Sequence, residues 1–118
     1  MPARIPGKIK VSGIAPVLSH RLKEARQRLG VSQEKLGQLA GIDAASASAR
    51  MNQYERGKHT PDFSLMRRLA PILQLPVPWF YTPDDDMADL LEAYHHMQAP
   101  DQAYLLDLAR KLRRRPRD

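Results

Sequence analysis

Apolar residues recur every three or four positions from Val17 onward, which is the period of an α-helix with one face in a core. The first such stripe ends at Gly30, a natural helix stop, and basic side chains occupy the positions between its members. The pattern therefore predicts a basic amphipathic helix. Its apolar positions are Leu18, Leu22, Ala25 and Leu29, with Arg21, Lys23, Arg26 and Arg28 between them.

Two further helices are predicted at short intervals. Ser32 is a suitable N-cap for the second helix and Gly41 a suitable end, while Asp43 and Gly57 bound the third. The apolar face of the second helix consists of Leu36, Leu39 and Ala40. The apolar stripe of the third consists of Ala44, Ala47, Met51 and Tyr54, which fall on one helical face.

The pattern continues as two more helices after residue 60. Pro61-Asp62 introduces a fourth helix, in which Pro71 should cause a kink or an early end. A short fifth helix is predicted after Pro76-Val77-Pro78. The expected core positions are Phe63, Met66, Leu69 and Ala70 in the fourth helix and Trp79 and Phe80 in the fifth.

The last third of the chain predicts a C-terminal helical extension. Residues 84–86 are three aspartates that introduce one helix, and Pro100-Asp101 introduces another. No segment alternates with period two for long enough to predict a strand, so the expected fold class is all-α. The apolar positions of the extension are Met87, Leu90, Leu91, Tyr94, Tyr104, Leu105, Leu108 and Leu112.

Composition narrows the class of protein. The chain has 118 residues, the size of one domain, and no cysteine, which excludes disulfides and cysteine-ligated metal sites. Its apolar stretches are shorter than the roughly 20 residues of a membrane span. The N-terminus has no continuous apolar segment like that of a signal peptide. We expect a soluble, intracellular protein without a membrane partner.

Charge is segregated along the chain. The formal net charge is +6, but residues 1–60 carry +7, residues 61–109 carry −6 and residues 110–118 carry +5. Such separation predicts distinct surfaces, and the basic first half is expected to meet an anionic partner.

Two short helices joined by a tight turn in this basic half are the elements of a helix-turn-helix, whose second helix fits the major groove of DNA. The residues resemble the Cro/cI-type (XRE-like) helix-turn-helix regulators of bacteria and phages. The resemblance covers about residues 17–82. It is carried by Leu22-x-x-Ala25-Arg26-x-x-Leu29-Gly30-Val31-Ser32-Gln33-x-x-Leu36, Ala40-Gly41-Ile42, Tyr54-Glu55-Arg56-Gly57-Lys58, Pro61, Leu69-Ala70, Leu73 and Trp79-Phe80.

The resemblance implies a five-helix lambda-repressor-like domain followed by one or two C-terminal helices. It implies a sequence-specific, double-stranded-DNA-binding transcriptional regulator, with a repressor as the expected form, in a bacterial or phage cytoplasm. The corresponding divisions are a flexible basic arm at 1–16, the DNA-binding domain at 17–82, a candidate dimerisation region at 83–113 and a basic tail at 114–118. It also implies phosphate contacts from Gln33, Arg56 and Lys58 and an ion pair between Arg26 and Glu55.

The sequence departs from the family between Gly41-Ile42 and Glu55-Arg56-Gly57, where about four additional residues stand. Because the stripe of the third helix continues through this segment, we expect an unusually long recognition helix, about 44–56. The face opposite the stripe is rich in small and amide side chains, which are suited to base contacts. The expected base-reading residues are Ser46, Ala49, Arg50, Asn52 and Gln53.

Other signals leave alternatives open. A small reading domain gains contact by dimerising, so Leu90, Leu91, Tyr94, Tyr104, Leu105 and Leu108 are candidate homodimer contacts, unless they complete the monomer core. An antitoxin-type module, which binds a toxin partner and uses DNA for autoregulation, is the main alternative, and an adaptor that reads no operator sequence is a third. The basic tail could contact DNA or an acidic partner, or end in solvent. We expect no catalytic site, metal site or cofactor, since Glu92-x-x-His95 is a single ligand pair.

Overall fold

A computed structural model describes residues 13–118, which form six α-helices and one short 3₁₀ helix. The predicted all-α class is confirmed. None of the helices in this range combines the length and apolar character that a bilayer crossing requires. The elements are α1 (Ile14–Leu29), α2 (Gln33–Leu39), α3 (Ala44–Glu55), α4 (Phe63–Ile72), the 3₁₀ helix (Val77–Tyr81), α5 (Asp85–His96) and α6 (Ala99–Arg113).

α1 begins three residues earlier than the apolar spacing predicts. Gly13 precedes the first helical residue, Ile14, and Pro16 lies in the first turn. Proline is tolerated there because the N–H groups of a first turn have no partner within the helix. The predicted arm at 1–16 is therefore wrong at its end, since residues 14–16 are helical, and residues 1–12 lie outside the described residues.

The core is built around two aromatic side chains from the 3₁₀ helix. Trp79 and Phe80 are both fully buried and pack edge to face, with ring centroids 5.0 Å apart. Their predicted core position is confirmed. Both α1 and α4 pack against the 3₁₀ helix, so these rings hold α1 and α4 together. We call the segment from α1 to the 3₁₀ helix the five-helix unit.

The start of α4 determines which of its residues reach the core. The carboxylate of Asp62 accepts a hydrogen bond from the N–H of Leu65 at 2.8 Å, which caps the helix at Phe63. With this phase Leu65 and Met66 are buried, whereas Phe63 is 61% exposed. The prediction that Phe63 lies in the core is therefore wrong.

α4 continues through Pro71 and ends at Ile72, one residue beyond the proline. Proline has no N–H, so the last turn lacks one backbone hydrogen bond. Beyond the end, Gln74 adopts a left-handed φ of 62°. The N–H groups of Gln74 and Leu75 donate to the carbonyl oxygens of Pro71 and Ala70, both at 3.1 Å. This is a Schellman closure, in which glycine is the usual left-handed residue.

A buried arginine joins α1 to the start of α5. Arg21, one of the basic residues that stand between the apolar positions of the first helix, is fully buried. Its Nε donates to the Thr82 carbonyl at 3.0 Å and its Nη2 donates to Asp85 at 3.1 Å. Its guanidinium carbon also lies 5.2 Å from the Trp79 ring centroid, within cation–π range.

A second arginine extends this connection toward solvent. Arg28 donates to Glu24 at 2.7 Å and to Glu92 of α5 at 2.9 Å. Its guanidinium carbon is likewise 5.2 Å from the Trp79 ring centroid. We call the contacts of Arg21 and Arg28 with α5 and Trp79 the α1–α5 joint, and they set the direction in which α5 leaves the five-helix unit.

α6 stands apart from the core. None of its residues is buried, and its Gln102 amide donates to the Tyr94 carbonyl of α5 at 2.8 Å. The principal extents of 53 × 32 × 29 Å reflect this elongated form. The alternative, that the apolar residues of the extension complete the monomer core, does not hold for those that are exposed. Exposed large apolar residues of α5 and α6 are Met87, Leu90, Tyr94, Tyr104, Leu106, Leu108 and Leu112.

Candidate nucleic-acid interface

α2 begins and ends close to the predicted residues. The Ser32 hydroxyl accepts a hydrogen bond from the N–H of Lys35 at 3.0 Å, and Gly41 follows the helix with a left-handed φ of 91°. The predicted cap is thus confirmed. The prediction that Leu39 faces the core is wrong, because the buried side of α2 is centred on Leu36 and leaves Leu39 50% exposed.

α2 and α3 approach closely at a glycine. A Cβ atom on Gly37 would lie 2.9 Å from the Cβ of Ala47, 3.1 Å from the Ala47 carbonyl oxygen and 3.1 Å from Cγ of Met51. A real Cβ would force one of these groups to move. The glycine therefore sets how closely α3 sits against α2, and with it how far the outer face of α3 projects.

α3 has one buried face and one outward face. It starts at the predicted Ala44 and ends at Glu55. Ala47, Met51 and Tyr54 are buried, but Ala44 is exposed, so the predicted stripe is wrong at its first residue. The expected base-reading residues all lie outside the core: Ala49 and Arg50 are exposed, and Ser46, Asn52 and Gln53 are half-buried.

A bidentate ion pair ties α1 to the end of α3. Arg26 Nε lies 2.6 Å from one carboxylate oxygen of Glu55, and Nη2 lies 3.0 Å from the other. The third nitrogen, Nη1, donates to the Val31 carbonyl at 3.0 Å. The Glu55 side chain is only 2% exposed, so its charge is compensated almost entirely by protein groups. The expected partners are thus in direct contact.

The ion pair continues through Gln33 to the outward face. The Gln33 amide nitrogen donates to Glu55 at 3.2 Å and to the Asn52 side-chain oxygen at 3.3 Å. Both of its N–H groups are thereby used inside the protein. Asn52 is consequently held at its oxygen, and its amide nitrogen remains available to a ligand.

Arg50 is held along the helix by the residue one turn later. Its Nη2 donates to the Tyr54 hydroxyl at 2.8 Å, and its guanidinium carbon is 5.8 Å from the Tyr54 ring centroid. Tyr54 is 8% exposed, so it offers a fixed support. The guanidinium therefore lies at the flank of the outward face.

A basic edge follows the C-terminal end of α3. The N–H of Lys58 donates to the Gln53 carbonyl at 2.9 Å, which closes the helix and leaves the Arg56 and Lys58 side chains exposed. Next to this edge lies a concave pocket of about 390 Å³. Lys23 of α1 contributes to this pocket, although the sequence analysis did not name it as a site residue. Its spacing of three residues from Arg26, which puts both on one side of the helix, is the signal that would have predicted this. The pocket is lined by Lys23, Arg26, Ser32, Gln33, Asn52, Glu55 and Arg56.

The residues considered as a metal pair have other contacts. Glu92 accepts a hydrogen bond from Arg28, and the His95 ring packs edge to face on that of His96 at 5.0 Å. Within residues 13–118, no group of three or more potential ligands is placed to hold a metal ion.

The packing of α2 against α3 within a five-helix unit defines a helix-turn-helix protein. The family model described as a helix-turn-helix domain matches residues 17–78, which is more than half of the chain. The chain therefore belongs to the helix-turn-helix family, and the resemblance to its XRE-like members is confirmed.

Individual proteins described as transcriptional regulators are also similar to this chain in sequence or structure. Uncharacterized HTH-type transcriptional regulators from Sinorhizobium medicae and from Rhizobium meliloti are each 32% identical to the chain over 77 residues. The match covers 65% of this chain and 52% of each relative, so the chain spans about half the length of these relatives. The crystal structure of the transcriptional regulator BswR superposes with a TM-score of 0.73 at 41% identity, covering 79% of this chain and 92% of that one.

Proposed function

We propose that the protein is a sequence-specific, double-stranded-DNA-binding transcriptional regulator with α3 as its recognition helix. The observation that carries the proposal is the contrast between the two faces of α3. The Gly37–Ala47 approach and the Arg26–Glu55 pair hold one face, while the other presents small and amide side chains beside a basic edge. A helix with such a face fits the major groove of B-DNA. Family membership supports the proposal.

Base reading is assigned to the outward face. Asn52 and Gln53 can each pair with adenine through two hydrogen bonds, and Ser46 can donate or accept. Ala49 permits close approach and contact with a thymine methyl group. Arg50, held at the flank by Tyr54, would read guanine or contact phosphate. The predicted additional length of this helix relative to the family stays part of the proposal.

Phosphate binding is assigned to the basic edge. Arg56 and Lys58 are exposed and contribute affinity without reading sequence. Gln33 was expected to join them, but both of its N–H groups already have acceptors. A phosphate contact would require one of these bonds to break, so we expect Gln33 to act mainly by orienting Asn52.

The rest of the chain is assigned to assembly. We take residues 17–82 as the DNA-reading unit, with residues 14–16 added to its first helix, 83–113 as the dimerisation region and 114–118 as a basic tail. A homodimer places two recognition helices about 34 Å apart on one face of DNA. Repression is the proposed outcome, because a protein that occupies an operator is sufficient to block transcription from it. The proposed dimer contacts are Leu90, Leu91, Tyr94, Tyr104, Leu105 and Leu108.

The direct test is selection of bound sequences from a random duplex pool, followed by affinity measurements at several salt concentrations. We expect one enriched motif and a steep loss of affinity with salt. Gln53→Ala should change the preference at one base pair by about 1–3 kcal/mol. Lys58→Ala should weaken all sequences alike and reduce the salt slope by about one unit.

A charge-matched control separates these effects from net charge. Arg67 is an exposed residue of α4 that does not line the pocket beside α3, so Arg67→Ala should leave both preference and affinity nearly unchanged. Equal affinity for selected and random duplexes at physiological salt would refute the proposal.

The antitoxin alternative has one observation in its favour, the exposed apolar side of α6, which another protein could cover. It expects a second protein to co-purify at a fixed ratio from the native cells. A chain that purifies from those cells with no second protein at a fixed ratio would contradict it.

A further inference from the structure

One side of α6 is apolar and exposed. α6 contacts its own chain through Gln102, whose amide donates to a carbonyl of α5, and it buries none of its 15 residues. A different side of the helix carries Tyr104, Leu108 and Leu112, all of which are exposed. Helices of about this length are marginal in water without tertiary contacts. The side that carries these three residues, which we call the free side of α6, therefore calls for a partner.

The free side has a symmetric spacing with opposite charges at its two ends. Asp101 stands three residues before Tyr104, and Leu108 stands four residues after it. Leu112 and Arg115 then follow at intervals of four and three residues, so the spacing is the same from either end and is centred on Leu108. Intervals of three and four keep residues on one side of a helix. The N–H of Arg115 donates to the Leu112 carbonyl at 3.1 Å, which continues the turn beyond the last helical residue.

Neither end charge of the free side is neutralised by its own chain. Within residues 13–118, Asp101 and Arg115 are exposed and form no ion pair, whereas Lys111 is paired with Asp107 at 3.0 Å. Asp101 and Arg115 lie about 21 Å apart along the helix, at a rise of 1.5 Å per residue, so they cannot pair with each other in one copy. A second copy whose α6 runs in the opposite direction brings each of them to its counterpart.

We propose that α6 packs antiparallel against α6 of a second copy, with Leu108 at the two-fold axis and each Asp101 paired with the partner's Arg115. This inference rests on the proposed homodimer and assigns its helix, its axis and a role for the basic tail. In a two-fold interface every contact of one residue with another is repeated in reverse, which the symmetric spacing allows. Tyr104 then packs against the partner's Leu112, and the charges fix the direction, since parallel helices would place like charges together.

A cysteine at the proposed axis tests its position in the full chain without DNA. The sequence has no cysteine, so Leu108→Cys introduces the only thiol. Helices packed about 8–10 Å apart bring facing residues at the axis within disulfide distance. We expect most of this variant to become a covalent dimer under mild oxidation. The matched control is Leu106→Cys, which starts from a similar exposure, 41% against 39%, but lies on another side of α6 and should remain largely monomeric on a denaturing gel.

Charge exchange tests the direction of the pairing. Asp101→Arg and Arg115→Asp each place like charges together at both ends of the interface, so we expect the dimer constant from sedimentation equilibrium to weaken by about tenfold. The double variant restores opposite charges only if the helices are antiparallel, and its dimer constant should return close to that of the wild type. Arg113→Asp is the matched control, because it makes the same charge change on another side of the helix end, and it should dimerise normally.

Each other result overturns the inference in a recognisable way. A wild-type chain that stays monomeric at high concentration refutes it, while selective binding of a single half-site would leave the DNA-reading role intact. Equal crosslinking of the two cysteine variants, or none in either, refutes the axis. A double charge variant that dimerises as weakly as the single ones refutes the antiparallel direction. If Arg115→Asp weakens only DNA binding, the partner of the tail is DNA. Circular dichroism checks the helix content, and Leu108→Cys decides the question if a charge variant loses its helices.

Discussion

Removing the carboxylate of Glu55 tests how much the fold depends on one buried ion pair. In Glu55→Ala, Arg26 loses both carboxylate bonds, at 2.6 and 3.0 Å, and keeps only its bond to the Val31 carbonyl. The Arg26 side chain is 15% exposed, so water can replace little of what is lost. Stranding a buried charge in this way costs about 3–5 kcal/mol. That is a large part of the roughly 5–15 kcal/mol that stabilises a domain.

Urea unfolding followed by Trp79 fluorescence measures the effect, since Trp79 is the single tryptophan and is fully buried. We expect the free energy of unfolding to fall by about 3–5 kcal/mol. The melting temperature should fall by at least about 12 °C, at roughly 4 °C for each kcal/mol in a domain of this size.

A second variant distinguishes a stranded charge from a lost contact. Replacing both partners, with Arg26→Met and Glu55→Leu, removes the pair without leaving a buried charge. We expect this double variant to be far more stable than Glu55→Ala, because apolar replacements of buried pairs are often neutral. If Glu55→Ala costs less than about 1 kcal/mol, as for an exposed pair, or if the double variant is the less stable of the two, the reasoning is wrong.

Three further predictions concern α2 and α4, each measured as the urea midpoint. Gly37→Ala should lower the free energy of unfolding by up to about 2 kcal/mol, because crowding against Ala47 outweighs the gain in helix propensity. Adding Ala47→Gly should recover part of the loss, and a raised midpoint in Gly37→Ala would contradict the close approach. Gln74→Gly should stabilise by up to about 1 kcal/mol, because it relieves a left-handed φ of 62°; an unchanged midpoint would show no strain there. Met66→Ala should cost about 2–5 kcal/mol, and Phe63→Ser less than about 0.5 kcal/mol; similar losses would restore the original assignment of Phe63 to the core.

Apolar spacing predicted the elements well but failed at the ends of helices. The stripe of the third helix placed Ala47, Met51 and Tyr54 in the core, because each is a helical interval from the next. Phe63 has the right spacing to Met66, but it is the first residue of its helix and remains 61% exposed. Periodicity thus identifies a face, and it does not show how far along that face the core extends.

Contacts between helices were harder to predict than the helices. The resemblance pointed to Arg26 and Glu55 as partners, but nothing in the sequence linked Gln33 to Asn52, which lies 19 residues further along on another helix. Arg21 was also missed, because a basic residue beside an apolar stripe normally faces solvent. Its burial depends on acceptors supplied from beyond residue 80, and only the folded chain brings these to α1.

The α1–α5 joint has a mechanical consequence. α6 contains 15 residues and is therefore about 22 Å long, so a small change in its angle at α5 moves its far end by a larger distance. A tilt of about 10° at its base would move the far end by about 4 Å, at a rise of 1.5 Å per residue. In the proposed two-fold assembly such a tilt would change the distance between the two DNA-reading units. The stiffness of Arg21 and Arg28 against Trp79 would then set how much variation in operator spacing the protein tolerates.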